Sequence, residues 1–251
     1  MGLLFQSDKR MSTSSQTGKK VFEVNQQQFQ GGLLDKTLQY EMEVTLLGQS
    51  NNTDFGYEID RRNLLIDNEE PNTVFEQLAF ECGKAIFPLR FTIDKNGVIK
   101  QLYEYPKVVE RWLVIKEQLL NYYEGDMAVN YIKCTDQNLK NMDTIKQLIK
   151  NQLFVYFFFN PLQNTVTEPL VWKTAPFMDF EGNITMLKAT DSEGSGELVL
   201  QSDSPFININ AKYTFDEKNK SIDSCNASIV QDNDSEIKLS FIAKQVEVLS
   251  N

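Results

Sequence analysis

The sequence predicts an α+β fold, in which a curved antiparallel β-sheet packs against about three central helices. Strand patterns dominate the N-terminal third of the chain, in N-terminal hairpins, and helical spacing dominates the middle. Six or seven further strand patterns follow residue 168, separated by short polar turns. Because strands and helices are segregated along the chain and do not alternate, an antiparallel sheet with helices on one face is favoured over a parallel α/β arrangement.

The N-terminal strands are predicted from alternation. Between Leu38 and Leu46 apolar residues alternate with polar ones, which is typical of a strand with one buried face. The polar stretch QSNNTD predicts a turn, and FGYEIDRRNLLID reads as the antiparallel return. One interpretation of the upstream segment VFEVNQQQFQGG is a strand that ends at Gly31 and Gly32. A second hairpin is predicted in LRFTIDKNGVIKQLY, with its turn at DKNG.

Helical spacing marks the middle of the chain. Thr73 and Glu76 fit a capping box, and the apolar spacing after them continues to a stop at Pro88. A second helix is predicted over YPKVVERWLVIKEQLLNYYE, with Pro106 in its first turn. It is apolar on two faces, so it is either sandwiched or in contact with a partner. A third helix is predicted from about Asp136 and runs into the apolar stretch LFVYFFF.

The stretch from Leu153 to Phe159 is the most apolar in the chain. A membrane-spanning helix needs about 20 apolar residues, so seven are too few and we predict no membrane span. The simplest interpretation is the buried end of the third helix, with its aromatic rings against the sheet. A strand and an exposed aromatic interface are the alternatives, because Phe, Tyr and Val also favour strands.

Charge and composition divide the chain into parts. Residues 1–20 are predicted to be a flexible basic tail, and residues 21–251 a single α+β domain with a possible seam at 160–168 between a helix-containing half and an acidic all-β half.

The net charge is −10, and the segment from Glu168 onward holds 14 acidic residues against 7 lysines. A nucleic-acid-binding protein normally presents a basic face, so we predict no nucleic-acid partner.

Several kinds of chemistry are missing from the sequence. The chain has no histidine, which removes Ser-His-Asp and Cys-His catalysis and histidine metal ligands. The three cysteines are scattered, which fits reduced thiols in the cytoplasm better than a zinc site or a disulfide framework. We therefore expect no enzymatic activity and no cofactor. A pair of carboxylates, such as Glu41 and Glu43 on one face of a strand, leaves a carboxylate-dependent hydrolase open as an alternative.

One segment carries a resemblance. The hairpin from Ile93 to Ile99 has the pattern ID-x-x-G-x-I and is followed by a helix that carries Trp112. This arrangement resembles that of uncharacterised bacterial proteins over roughly residues 87–160. The resemblance implies no activity, and no functional residue is carried over from it.

These observations favour a non-enzymatic cytoplasmic protein-binding module: an adaptor, chaperone, immunity protein or accessory subunit of a larger bacterial assembly. Its partner would be another protein or a second copy of the chain. The main alternative is a carrier of a small apolar ligand or lipid in a half-barrel pocket. The candidate partner-binding residues are the basic residues of the tail and the aromatic residues of the helices, namely Lys9, Arg10, Lys19, Lys20, Trp112, Phe154, Phe157 and Phe158.

Overall fold

The computed structural model describes nine stretches of the chain, namely residues 18–51, 54–94, 98–159, 170–173, 183–188, 197–204, 207–216, 221–231 and 237–246. Within these residues eleven strands form one antiparallel sheet, and five helices accompany it. The predicted α+β class with a large antiparallel sheet is confirmed, although five helices take the place of the expected three.

The elements follow the chain in this order. The strands are β1 (Lys19–Gln30), β2 (Leu33–Asn51), β3 (Asp54–Ile66), β4 (Leu89–Ile93), β5 (Ile99–Tyr103), β6 (Leu170–Lys173), β7 (Asn183–Lys188), β8 (Glu197–Ser202), β9 (Ile207–Phe215), β10 (Ile222–Gln231) and β11 (Ile237–Val246). The helices are α1 (Val74–Gly83), α2 (Tyr105–Tyr122), α3 (Asp126–Leu139), α4 (Met142–Lys150) and α5 (Leu153–Phe159).

The sheet joins the two ends of the chain at its centre. Its order is β5-β4-β3-β2-β1-β11-β10-β9-β8-β7-β6, so neighbouring strands are consecutive in the chain except where β1 pairs with β11. The helices α2 to α5 follow the edge strand β5 and precede the opposite edge strand β6. Both halves of the chain therefore contribute to one sheet. The predicted seam at 160–168 lies outside the described residues.

The segment with the ambiguous sequence pattern is a central strand. β1 begins at Lys19, so Lys19 and Lys20 of the predicted tail belong to the sheet, and residues 1–17 lie outside the described residues. The connection to β2 is a turn in which Gly31 and Gly32 both have positive φ, 57° and 77°. Only glycine adopts this conformation at little cost, which makes it suited to a tight hairpin turn.

Contacts of α5 show that the sheet is curved. The ring of Phe159 lies 5.4 Å from that of Phe91 in β4, and the Tyr213 hydroxyl in β9 donates a hydrogen bond to the Phe157 carbonyl over 3.0 Å. In a flat sheet β4 and β9 would lie about 29 Å apart, since six strand spacings separate them. A seven-residue helix is only about 10 Å long. The sheet therefore wraps around α5.

All seven side chains of α5 are buried. The prediction of a buried helical segment is confirmed, and the run forms neither a strand nor an exposed interface. It is not the end of one long helix, however, because three separate helices, α3, α4 and α5, follow Gly125. Asn141 starts α4 by accepting hydrogen bonds from the amides of Asp143 and Thr144. Among the described residues no helix combines the length and apolar composition needed to cross a bilayer.

The remaining helices position the site described below. α1 connects β3 to β4 and packs against α2 and α3. The predicted capping box is present: the Thr73 hydroxyl accepts from the Glu76 amide, and the Glu76 carboxylate accepts from the Thr73 amide. This fixes the start of α1 beside the end of β3.

Candidate functional site

The predicted basic residues fall partly outside the described chain. Lys9 and Arg10 lie outside the described residues. The Nζ atom of Lys19 lies 2.7 Å from a carboxylate oxygen of Glu43 on the neighbouring strand β2. Lys19 is therefore part of an ion pair across the sheet.

Lys20 occupies a polar network at one end of the sheet. Its ammonium donates hydrogen bonds to the Ser221 hydroxyl and to the Gln245 side-chain carbonyl. Burial lowers the pKa of Lys20, and the nearby carboxylates of Asp216 and Asp223 oppose that shift. The network joins β1 to β11 and to the residue before β10. The Lys20 charge therefore stabilises the contact between these strands.

The four predicted aromatic residues lie in the core. Trp112, Phe154, Phe157 and Phe158 are between 0% and 5% exposed. For the three phenylalanines the physical reason is the wrapped sheet, which supplies internal neighbours for α5. Trp112 lies in α2 and is buried against α3, where its Nε1 donates a hydrogen bond to Asp136. These rings are not surface in this conformation, and a partner could reach them only if the core opened. The contacts of Trp112 and Phe157 give stability predictions, which the Discussion develops.

A groove of about 790 Å³ lies between α1, α2 and the end of β3. Its lining mixes apolar side chains with polar and acidic ones, namely Asn63, Glu70, Gln77, Glu81 and Gln118. The main apolar wall residues are Leu64, Leu65, Phe80, Ile115, Tyr122 and Tyr123. The arrangement leaves part of this apolar lining, Tyr122 above all, open to solvent.

Helical spacing explains how the groove forms. Ile115, Leu119 and Tyr122 step by four and three residues along one face of α2, the same face that the sequence assigned to the core. Leu119 is 5% exposed, whereas Tyr122 is 77% exposed. The apolar face of α2 thus continues beyond the part that α1 and the sheet cover. Sequence reasoning offered two interpretations of this helix, sandwiched between elements or in contact with a partner, and neither predicted a groove.

A second, cationic pocket of about 270 Å³ adjoins this groove. The two share Asn63, Leu64 and Phe80 as lining residues. The pocket is otherwise lined by three cations, one carboxylate and the residues at the end of α1, namely Arg61, Arg62, Lys84, Asp60, Gly83 and Phe87. In a chain of net charge −10, this is a local excess of positive charge.

Arg61 is the central residue of this cationic pocket. It continues the inward-facing alternation of β3 after Tyr57 and Ile59 and pairs in register with buried Met42. Its guanidinium lies over the Phe87 ring, 5.1 Å from the centroid. Burial lowers the pKa of Arg61, which remains far above neutrality for a guanidinium. A charge at an inward position of an alternating strand was the sequence signal that could have found this pocket.

The predicted carboxylate pair lies on the other face of the sheet. Glu41 and Glu43 alternate with buried Tyr40, Met42 and Val44, so they point away from the core. Glu43 forms its ion pairs there, with Lys19 and with Arg62. These contacts are typical of a carboxylate that stabilises the sheet through ion pairs between strands.

The described parts of the chain show neither a thiol with a lowered pKa nor a cluster of metal ligands. Burial raises the pKa of the Cys82 thiol to about 11, so this thiol is not ionised at neutral pH. Burial also raises the pKa of Cys225, while Cys134 is exposed. In those same parts, no three His, Cys, Asp or Glu residues lie close enough together to hold a metal ion.

Comparison with solved structures gives a structural likeness, whereas comparison by sequence gives none. No protein-family model and no curated protein matches the chain. Among solved structures, the chain is similar to one described as "Lipid-protein interactions in lipovitellin", with a TM-score of 0.46 and 12% sequence identity. The likeness covers 93% of this chain and 26% of that one, so this chain spans about a quarter of its length.

Proposed function

We propose that the protein binds a small apolar ligand in the groove between α1, α2 and the end of β3. The observation that carries the proposal is the groove itself, since about 790 Å³ lies in the range of small-molecule sites. Tyr122, on its wall, is 77% exposed. Covering apolar surface releases about 25 cal/mol for each Å² removed from water, so contact with the apolar side chains of the groove contributes favourably to binding.

The site differs in place from the half-barrel pocket that the sequence predicted. The side chains of α5 fill the space around which the described strands curve, with Phe154, Phe157 and Phe159 fully buried. A ligand in the proposed site would instead lie between the helices and the end of β3. Polar groups such as Gln77 and Gln118 would border it and orient a polar end of the ligand.

We expect Gln118→Trp to weaken binding of an apolar dye such as Nile red at least about tenfold, equal to about 1.4 kcal/mol. Gln118 is exposed and lines the groove, so an indole there occupies ligand space. Val114→Trp is the matched control, because Val114 is also exposed on α2 and does not line the groove. Fluorescence titration measures both. Equal affinities for the two variants and the wild type would remove the groove as the site.

A second candidate is the predicted protein-binding function, supported by the opposite side of α2. Leu113 and Leu120, two turns apart on one face of the helix, are 52% and 43% exposed, and they lie outside the groove. Clustered exposed apolar residues often mark protein contacts. The partner would be a protein that presents an apolar surface of its own to this helix face.

Native mass spectrometry of the protein isolated gently from its own cells tests this second function. We expect the wild type to carry a defined additional protein mass, and a Leu113→Ser, Leu120→Ser double variant to lose it. Gln118→Trp should keep the partner, because Gln118 lies in the groove. Retention of the partner by the double variant would exclude this face of α2 as the contact.

A further inference from the structure

We propose that the groove and the adjoining cationic pocket together bind an amphiphile with an anionic head, its chain in the groove and its carboxylate or phosphate against Arg61. The inference rests on the proposed function and names the class of ligand. The shared lining residues Asn63, Leu64 and Phe80 make the groove and the pocket continuous neighbours. One molecule with an apolar chain and a charged end matches both surfaces.

The charge of Arg61 has no acidic counterpart in the described chain. Among those residues, no carboxylate lies within ion-pair distance of its guanidinium, which lies over the Phe87 ring and close enough to the buried Tyr40 hydroxyl to interact with it electrostatically. Arg62, the next residue, contrasts with it, because its guanidinium lies 2.9 Å from Asp60 and 3.4 Å from Glu43. A partly buried cation without a counter-ion costs stability. An anion supplied by a ligand would offset that cost through charge-assisted hydrogen bonds.

A second cation lies where the groove and the pocket meet. The Nζ atom of Lys84 is 4.6 Å from the centroid of the Phe80 ring, which lines both spaces. Lys84 also pairs with Glu81, which lines the groove, over 2.5 Å. Lys84 is therefore a screened cation near the head-group position, and Arg61 is the unscreened one.

Gly83 allows the guanidinium of Arg61 to lie against the end of α1. A Cβ atom on residue 83 would come within 2.8 Å of Arg61 Nη2, so a larger residue would require the end of this flexible side chain to shift. The C-terminal end of a helix carries partial negative charge, which helps to hold a cation there in the absence of a carboxylate. The fold thus positions this charge through two separate features, an inward strand position and a glycine at a helix end.

The test compares dodecanoate, dodecyl phosphate and dodecanol, each below its micellar concentration, by isothermal titration. We expect the wild type to bind at least one of the two anions about tenfold more tightly than the alcohol. Arg61→Met should remove that preference and keep alcohol binding. Arg90→Met is the matched control and should retain the preference, because Arg90 in β4 lines neither space and is already paired with Glu58 and Glu104.

The outcomes separate the head group from the groove. Tighter binding of the carboxylate or of the phosphate identifies the source of the anion. An anion preference that survives Arg61→Met, or no preference in the wild type, overturns the head-group assignment while alcohol binding still supports the groove. Alcohol binding that is unchanged in Gln118→Trp removes the groove and this inference together.

Two further readouts distinguish a ligand-binding arginine from a structural one. Without ligand, Arg61→Met should keep or raise the unfolding temperature by up to about 4 °C, because it removes an unpaired charge. A fall of several degrees would assign Arg61 a structural role and overturn the inference. Gly83→Ala should also weaken anion binding by displacing Arg61, while the helix itself gains from alanine. Full anion affinity in Gly83→Ala would contradict the proposed position of the head.

Discussion

Replacing Phe157 with alanine is expected to lower the free energy of unfolding by about 4 kcal/mol, the range found for aromatic residues removed from cores. Its ring is fully buried and is stacked on Phe241 with 5.3 Å between centroids. Because the sheet wraps around α5, the residues that surround Phe157 have little room to relax into the cavity. Urea denaturation followed by circular dichroism measures the change.

Phe75→Ala is the matched control for this experiment. Phe75 is 47% exposed and contacts the Tyr131 ring at 5.8 Å, so its loss should cost about 1 kcal/mol or less. Equal losses at Phe75 and Phe157 would contradict the placement of α5 at the centre of the fold. If Phe157→Ala also loses a bound partner, the cause must first be tested as loss of the fold, because Phe157 lies in the core.

Local patterns predicted the elements whose cause is local. The alternation from Leu38 to Leu46 lies within β2, and its predicted antiparallel return is β3. Thr73 and Glu76 do form the capping box of α1. In each case the decisive interaction lies within a few residues or in the neighbouring strand, so the sequence alone carries it.

Features that depend on distant residues were harder to predict. The stretch NQQQFQ has no clear alternation, yet it is in a central strand because β11 pairs with it from more than 200 residues away. The single helix predicted from about Asp136 is divided at Asn141 and Asn151, although the apolar spacing continues across both breaks. Asparagine is tolerated inside helices as well as at their caps, so its presence did not mark the breaks.

The candidate site also combines a feature that the sequence predicts with one that depends on distant residues. Arg61 follows Tyr57 and Ile59 at a spacing of two, so its inward direction was readable from the sequence. The groove was not readable, because it exists only where α1 stops covering the apolar face of α2. The phenylalanines of α5, which were predicted to be buried and were also named as candidate partner contacts, are in the core for a related reason: seven apolar residues in a helix need neighbours on every side, and a curved sheet provides them.

A second large effect is expected at Asp136, where alanine should lower the free energy of unfolding by about 3 kcal/mol. The Asp136 carboxylate accepts a hydrogen bond from Trp112 Nε1 over 2.9 Å and forms ion pairs with Lys116 and Lys140 at 3.0 and 2.7 Å. Removal leaves the Trp112 Nε1–H donor buried without its acceptor. It also breaks the hydrogen bond and the ion pair that join α2 to α3. Asp143→Ala is the control: Asp143 is 86% exposed, and its loss should cost about 0.5 kcal/mol.

The pH dependence of stability gives an independent test of the same carboxylate. Burial alone would raise the pKa of Asp136, but hydrogen bonds from Lys140, Trp112 and Lys116 outweigh it and lower the pKa from 3.8 to about 2. Because the folded-state pKa is the lower one, the stabilisation is complete above about pH 4 and is lost as the pH falls towards 2. The difference in unfolding free energy between wild type and Asp136→Asn should therefore shrink across this window. A difference that stays constant down to about pH 2 would mean that the ionised carboxylate does not link α2 to α3.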